Sequence, residues 1–188
     1  MTVATATRTA EEYLAAEVES PTRNEYRNGE IIPMTGGLPG HNEIAATLVF
    51  LLKLSLRKQP YSVFVTDFRL VMPYSEIYTY PDVMVMPRPA NLKPDRRDTV
   101  MNPLFVVEVL SASTEQYDRG SKFEAYRTIP AFQEYWLISQ HKPLVEQYVK
   151  QTGDRWLFEA HQGLKATAQV ESLEVEIALA DLYEAIEF

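Results

Sequence analysis

The pattern of apolar and polar positions divides the chain into short, well-punctuated segments. Thr9-Ala10-Glu11-Glu12 fits a capping box, and a short helix to about Val18 should follow, ended before Pro21. In "NEYRNGEIIPM", Asn28-Gly29 separates two short strand-like runs, the signature of a type I′ hairpin. "TGGLPG" reads as a loop. "HNEIAATLVFLLKLSLRKQ" is the longest helix candidate, with positions 44, 45, 48, 51, 52 and 56 on one broad apolar face.

Beyond it, "YSVFVTDFRLVM" supplies one or two strands, and "YPDVMVM" another that begins near Asp82. Residues 87–103 contain four prolines and several charges and read as a long loop. "LFVVEVL" is β-branched and apolar throughout, as a strand buried on both faces should be. "YDRGSKFEAYRTI" reads as a helix interrupted near its start by Gly120 and closed before Pro130. "FQEYWLIS", "LVEQYVK" and "RWLFEA" follow as strands, the last two joined around Thr152-Gly153-Asp154. "LEVEIAL" is a further strand and "LADLYEAI" a terminal helix. With no repeat and no linker, residues 1–188 read as a single domain. Its fold class is α/β or α+β, a mixed β-sheet flanked by helices.

Composition narrows the chemistry. The absence of cysteine excludes disulfides, thiolate metal sites and cysteine nucleophiles. The first residues lack a basic start followed by an apolar core, and the greasiest segment is interrupted by Lys53. A cytoplasmic protein without a membrane segment is therefore expected. A net charge of −8 argues against nonspecific coating of nucleic acid but leaves room for an acidic site offset by a divalent cation. There is no phosphate-loop, dinucleotide or HExxH motif.

The sharpest chemical signal is the carboxylate of Glu108 inside an apolar run. Asp82 opens another strand. If the two strands are neighbours, both acids reach one end of the sheet. Such a pair suits Mg²⁺ (or Mn²⁺), which takes oxygen ligands and retains waters, and the carbonyl of Val109 could add a further oxygen. Lys122 lies on the following helix, where it could orient an attacking water or stabilise a transition state. Tyr126 is one turn on, on the same face. Structural alternatives exist for each. Glu108 could be a core acid satisfied by Arg69 or Arg127, Asp82 a turn residue, and Lys122 an exposed partner of Asp118. Glu25, flanked by Arg23 and Arg27, could be a strand-surface charge, and His41 a polar helix-start residue. Tyr135 and Trp136 read as core.

Together "YPD" and "VVEVLS" resemble the PD-(D/E)XK nuclease superfamily, with its restriction-endonuclease-like fold. More narrowly, "EYRNGEI", "HNEI", "YPDVMV", "FVVEVLSAST", "DRGSKFEAY" and "EYWLIS" resemble the cyanobacteria-rich family called domain of unknown function 820. The parent motif places lysine two positions after the second acid, where this chain has Leu110. The resemblance implies that Lys122 takes over from the helix. It further implies that Glu25 completes the catalytic set with Asp82, Glu108 and Lys122, and that His41 and Tyr126 are accessory. The implied activity is metal-dependent endonucleolytic hydrolysis of DNA, with a homodimer as the expected assembly. A catalytically inactive binding or regulatory module, or a hydrolase of small nucleotides, are the competing expectations.

Overall fold

The structure, a computed structural model, describes residues 7–188; the first six residues, on which part of the leader reading rests, lie outside it. Helix α1 spans Ala10–Glu19. The capping box forms as read, with the Glu12 amide donating to Thr9 Oγ1 at 3.1 Å and the Thr9 amide donating to Glu12 Oε2 at 2.8 Å. Strands β1 (Asn24–Arg27) and β2 (Glu30–Pro33) form the antiparallel hairpin. Asn28 and Gly29 turn it with φ of 49° and 98°, the positive pair a type I′ turn requires. Helix α2 runs Pro39–Ser55, starting two residues before His41 because proline suits the first helical position.

The central layer is a six-stranded sheet in the order β11-β10-β9-β8-β6-β3, made of β3 (Tyr61–Val65), β6 (Val83–Pro87), β8 (Phe105–Leu110), β9 (Glu134–Ser139), β10 (Leu144–Lys150) and β11 (Trp156–Gln162). Every residue of β8 is buried. Alternation along it feeds two cores. Phe105, Val107 and Val109 join Ile44, Leu48 and Leu52 of α2. Val106 and Leu110 join Phe123 and Tyr126 on the opposite side. Glu108 has the parity of the second face, which is why it meets the helix that follows the strand.

That helix is two short ones, α3 (Glu115–Arg119) and α4 (Ser121–Tyr126), hinged at Gly120. They form the crossover from β8 to its parallel neighbour β9. A five-stranded sheet packs under α1, in the order β2-β1-β5-β4-β7. Its other strands are β4 (Arg69–Met72), β5 (Ile77–Thr79) and β7 (Thr99–Val100). A small β12 (Thr167–Val170) and β13 (Val175–Ala178) pair antiparallel, and α5 (Leu179–Leu182) closes the described chain.

The segment 87–103 is therefore not all loop: Thr99 and Val100 pair in parallel with β4. Strands β5 and β12 were not expected from the pattern. The long helix stops at Ser55, short of the run to Gln59, and Leu56 caps it while staying buried. Tyr135 and Trp136 are core residues, as read. Among the described residues, no helix is long and apolar enough to cross a membrane.

Candidate active site

Strands β6 and β8 are antiparallel neighbours, with Val83 opposite Val107, so Asp82 and Glu108 fall side by side at one end of the sheet. Each acid is held by its own set of donors. The Val109 amide donates to Asp82 Oδ2 at 2.7 Å, and His41 Nε2 lies 3.0 Å from Asp82 Oδ1. The Tyr126 hydroxyl donates to Glu108 Oε1 at 2.7 Å, and Lys122 Nζ lies 2.8 Å from the same oxygen. Arg69 instead pairs with Asp98, and Arg127 sits over Phe123, so neither satisfies Glu108.

Lys122 is not an exposed helix charge. It is 5% exposed and sits among carboxylates: Glu108, Glu25 at 3.4 Å and Asp118 at 3.6 Å. Glu25 is equally far from a strand-surface charge. The hairpin aims it inward, where Thr79 donates to one of its oxygens and Arg27 pairs with the other. Glu17 fixes the start of that hairpin by accepting from the Asn24 amide and side chain, each at 2.8 Å. The structure thus brings Glu25, Asp82, Glu108 and Lys122 into one cluster, with His41 and Tyr126 as direct neighbours. Asp118 is a member that the sequence reading set aside. Its signal was present, four residues before Lys122, but spacing alone does not tell a buried helix face from an exposed one.

The electrostatics follow from burial and from the close packing of charged groups. Desolvation pushes Glu108 up to about 8, helped by Asp118 and Asp82 and opposed by Lys122. Burial raises the carboxyl of Asp118 too. For Lys122, burial would lower the value, but the surrounding acids outweigh it and hold the ammonium charged. Burial would raise Glu25; Lys122, the Thr79 hydroxyl and Arg27 reverse this and bring it down to about 2. The hydrogen bond to Asp82 raises His41 against the cost of its burial.

The donor set fits a hard divalent cation. Two adjacent carboxylates and a main-chain oxygen on Val109 are the ligand types Mg²⁺ prefers. Among the described residues, no three His, Asp or Glu side chains form a ready-made metal cage, so water or substrate would complete such a shell. The cluster forms the floor of a cavity of about 770 Å³. Its walls come from the β1–β2 hairpin, the Thr35–Leu38 loop and the Ser111–Thr114 loop. The "TGGLPG" connection packs tightly on the site: a Cβ added at Gly37 would stand 2.7 Å from the His41 ring.

Comparison with known proteins decides the family. A family model described as "Uma2: Putative restriction endonuclease" matches residues 10–181. The chain belongs to this family. Two uncharacterised Synechocystis proteins are relatives of matching length. One, sll1609, is 40% identical over 168 residues, covering 89% of this chain and 94% of its own. The other, slr1290, is 33% identical over 180 residues, covering 95% and 92%. The fold matches a crystal structure described as "a putative nuclease belonging to DUF820" from Anabaena variabilis, with a TM-score of 0.73 at 20% identity, across 94% of this chain and 98% of that one. The restriction-endonuclease-like fold read from the motifs is thereby confirmed.

Proposed function

We propose that this family member is an endonuclease that hydrolyses DNA phosphodiester bonds with the help of Mg²⁺ or Mn²⁺. One observation carries the reading: residues from three separate elements, Asp82, Glu108 and Lys122, converge on the floor of a cavity, with Lys122 Nζ 2.8 Å from Glu108. Asp82, Glu108 and the Val109 carbonyl would hold the ion. Once bound, a divalent cation supplies Lewis acidity toward water and phosphate.

The chain's own residues supply positioning and charge. Asp82 cannot rotate freely, because the Val109 amide and His41 each hold one of its oxygens. Tyr126 fixes Glu108 in the same way. The Lys122 ammonium has three donors, and its acidic neighbours keep it protonated. It can orient the attacking water or donate to a phosphate oxygen as negative charge grows there. In the reaction, the water oxygen bonds to phosphorus as a phosphorus–oxygen bond to the sugar breaks. The water's proton passes to a carboxylate of the cluster, and the leaving oxygen takes up a proton from solvent. Glu25 acts from behind, anchoring Lys122.

A second reading, a binding module without catalysis, draws on the closure of the same cluster: both Asp82 oxygens already have partners. Incubation of pure protein with DNA and Mg²⁺ or Mn²⁺ separates the two. The nuclease reading expects cleavage that is lost in Asp82→Asn and Lys122→Ala. Equal cleavage by all three proteins, or none on diverse DNA, favours the binding module.

A further inference from the structure

The walls above the carboxylate floor carry information about the strand that enters. On one side stand Ile32, Pro33, Met34 and Leu38, an apolar surface at the mouth of the cavity, with Leu38 62% exposed. Among the described residues lining the cavity, the arginines and lysines are Arg23, Arg27 and Lys122. Each is already paired, Arg23 with Asp67, Arg27 with Glu25 and Lys122 with Glu108. A duplex presents its charged backbone outward and keeps its base faces stacked inside. Its phosphates would meet the apolar wall and the Asp67-paired Arg23, short of the buried Lys122. An unpaired strand turns its base faces outward, and these suit an apolar wall.

Depth points the same way. Asp82, Glu108 and Lys122 are each buried to nine-tenths or more, beneath a cavity of about 770 Å³. That is the size range of small-molecule pockets, roughly 300–1,000 Å³, and suits a few nucleotides. A paired nucleotide would first have to leave its stack to bring its phosphate down to these acids. Tyr117, which lines the cavity, has a hydroxyl with no hydrogen-bond partner among the described residues, a donor available for a phosphate oxygen of the entering strand.

Building on the nuclease reading above, we propose that the site selects unpaired DNA, with the Ile32–Leu38 wall receiving base faces while the backbone descends to the carboxylates. The test compares initial cleavage rates in Mn²⁺ on one labelled sequence as a single strand, as a full duplex and as a duplex with a central unpaired bubble. The expected result is cleavage at least about tenfold faster on the single strand, with cuts in the bubbled duplex confined to the bubble. Cleavage of the full duplex at an equal or higher rate overturns the strand preference and leaves the nuclease reading intact. No cleavage of any substrate removes the nuclease reading and this inference with it. Binding to the Glu108→Gln protein, read by fluorescence anisotropy, gives a second measure. Met34→Asp in that background should weaken single-strand binding about tenfold while melting at the same temperature; unchanged binding overturns the role of the wall.

Discussion

Replacing Lys122 with methionine tests the electrostatic core of the site. The side chain keeps most of its length and loses its charge. In the native cluster that charge sits 2.8 Å from Glu108 and 3.4 Å from Glu25, at 5% exposure. Breaking a buried ion pair by removing one partner costs about 3–5 kcal/mol, because the other charge is left uncompensated. Glu108 can escape part of this by taking up a proton, since its carboxyl already titrates at about 8. Glu25 retains Arg27 and Thr79. The loss should therefore fall near the low end, about 3 kcal/mol at pH 8, or roughly 6–12 °C in melting temperature for a domain of this size. At pH 5 the loss should shrink, because Glu108 carries a proton there while Glu25 keeps Arg27 and Thr79. Thermal melts and urea titrations followed by circular dichroism measure it, with Glu108→Gln and the double variant closing a cycle. The double variant should be more stable than Lys122→Met alone. Wild-type stability of Lys122→Met at pH 8, or strictly additive effects, would refute the coupling.

Three further outcomes follow. Without divalent metal, stability should decline as pH rises from about 4.5 to about 8: Glu108 binds its proton more tightly in the folded state, so its contribution is complete below its unfolded value and lost as pH climbs through the folded one. Glu108 contributes at most about 1.4 kcal/mol per pH unit to this slope, Asp118 and His41 add to it in the same direction, and Glu108→Gln should make it shallower. Glu25 acts oppositely, its stabilisation vanishing as pH falls from about 4.5 toward 2, so melting temperature should peak near pH 4.5. Gly29→Ala should destabilise the hairpin carrying Glu25 by more than about 1 kcal/mol, since φ is +98° and the added Cβ would press on the Thr7 side chain; urea titration reads it. His41→Ala should leave the fold melting within a few degrees of wild type yet reduce DNA cleavage by about tenfold or more, because Asp82 loses the partner of one oxygen; unchanged cleavage rates would remove His41 from the site.

How far the sequence revealed the molecule depended on how local each cause was. The Thr9 cap, the Asn28-Gly29 turn and the apolar run of β8 are decided within a few residues, and all were read directly. Strands β5 and β7, of three and two residues, owe their existence to neighbours distant in sequence, so no local pattern announced them. The helix after β8 broke in two because Gly120 adopts a non-helical conformation with ψ of −106°.

The candidate site followed the same rule. Asp82 and Glu108 were visible as acids in strand contexts, and pairing of β6 with β8 was the condition that brought them together. Lys122 entered through the motif resemblance, since four-residue spacing from Asp118 had an equally good surface explanation. Burial decided between them, and it arises from α4 packing its Phe123 and Tyr126 face against Val106 and Leu110. Leu110, which stands where the parent motif has lysine, belongs to that core. The ammonium reaches Glu108 from the helix across the same packed face.

The central claim is that Asp82 and Glu108 together hold a divalent cation. Crystals soaked in Mn²⁺ and measured at the manganese absorption edge test it without reference to substrate or rate. The account predicts an anomalous peak between the two carboxylates, beside Val109, that disappears in crystals of Glu108→Gln. A map without a peak there, or with manganese bound only at other surface acids, would contradict it.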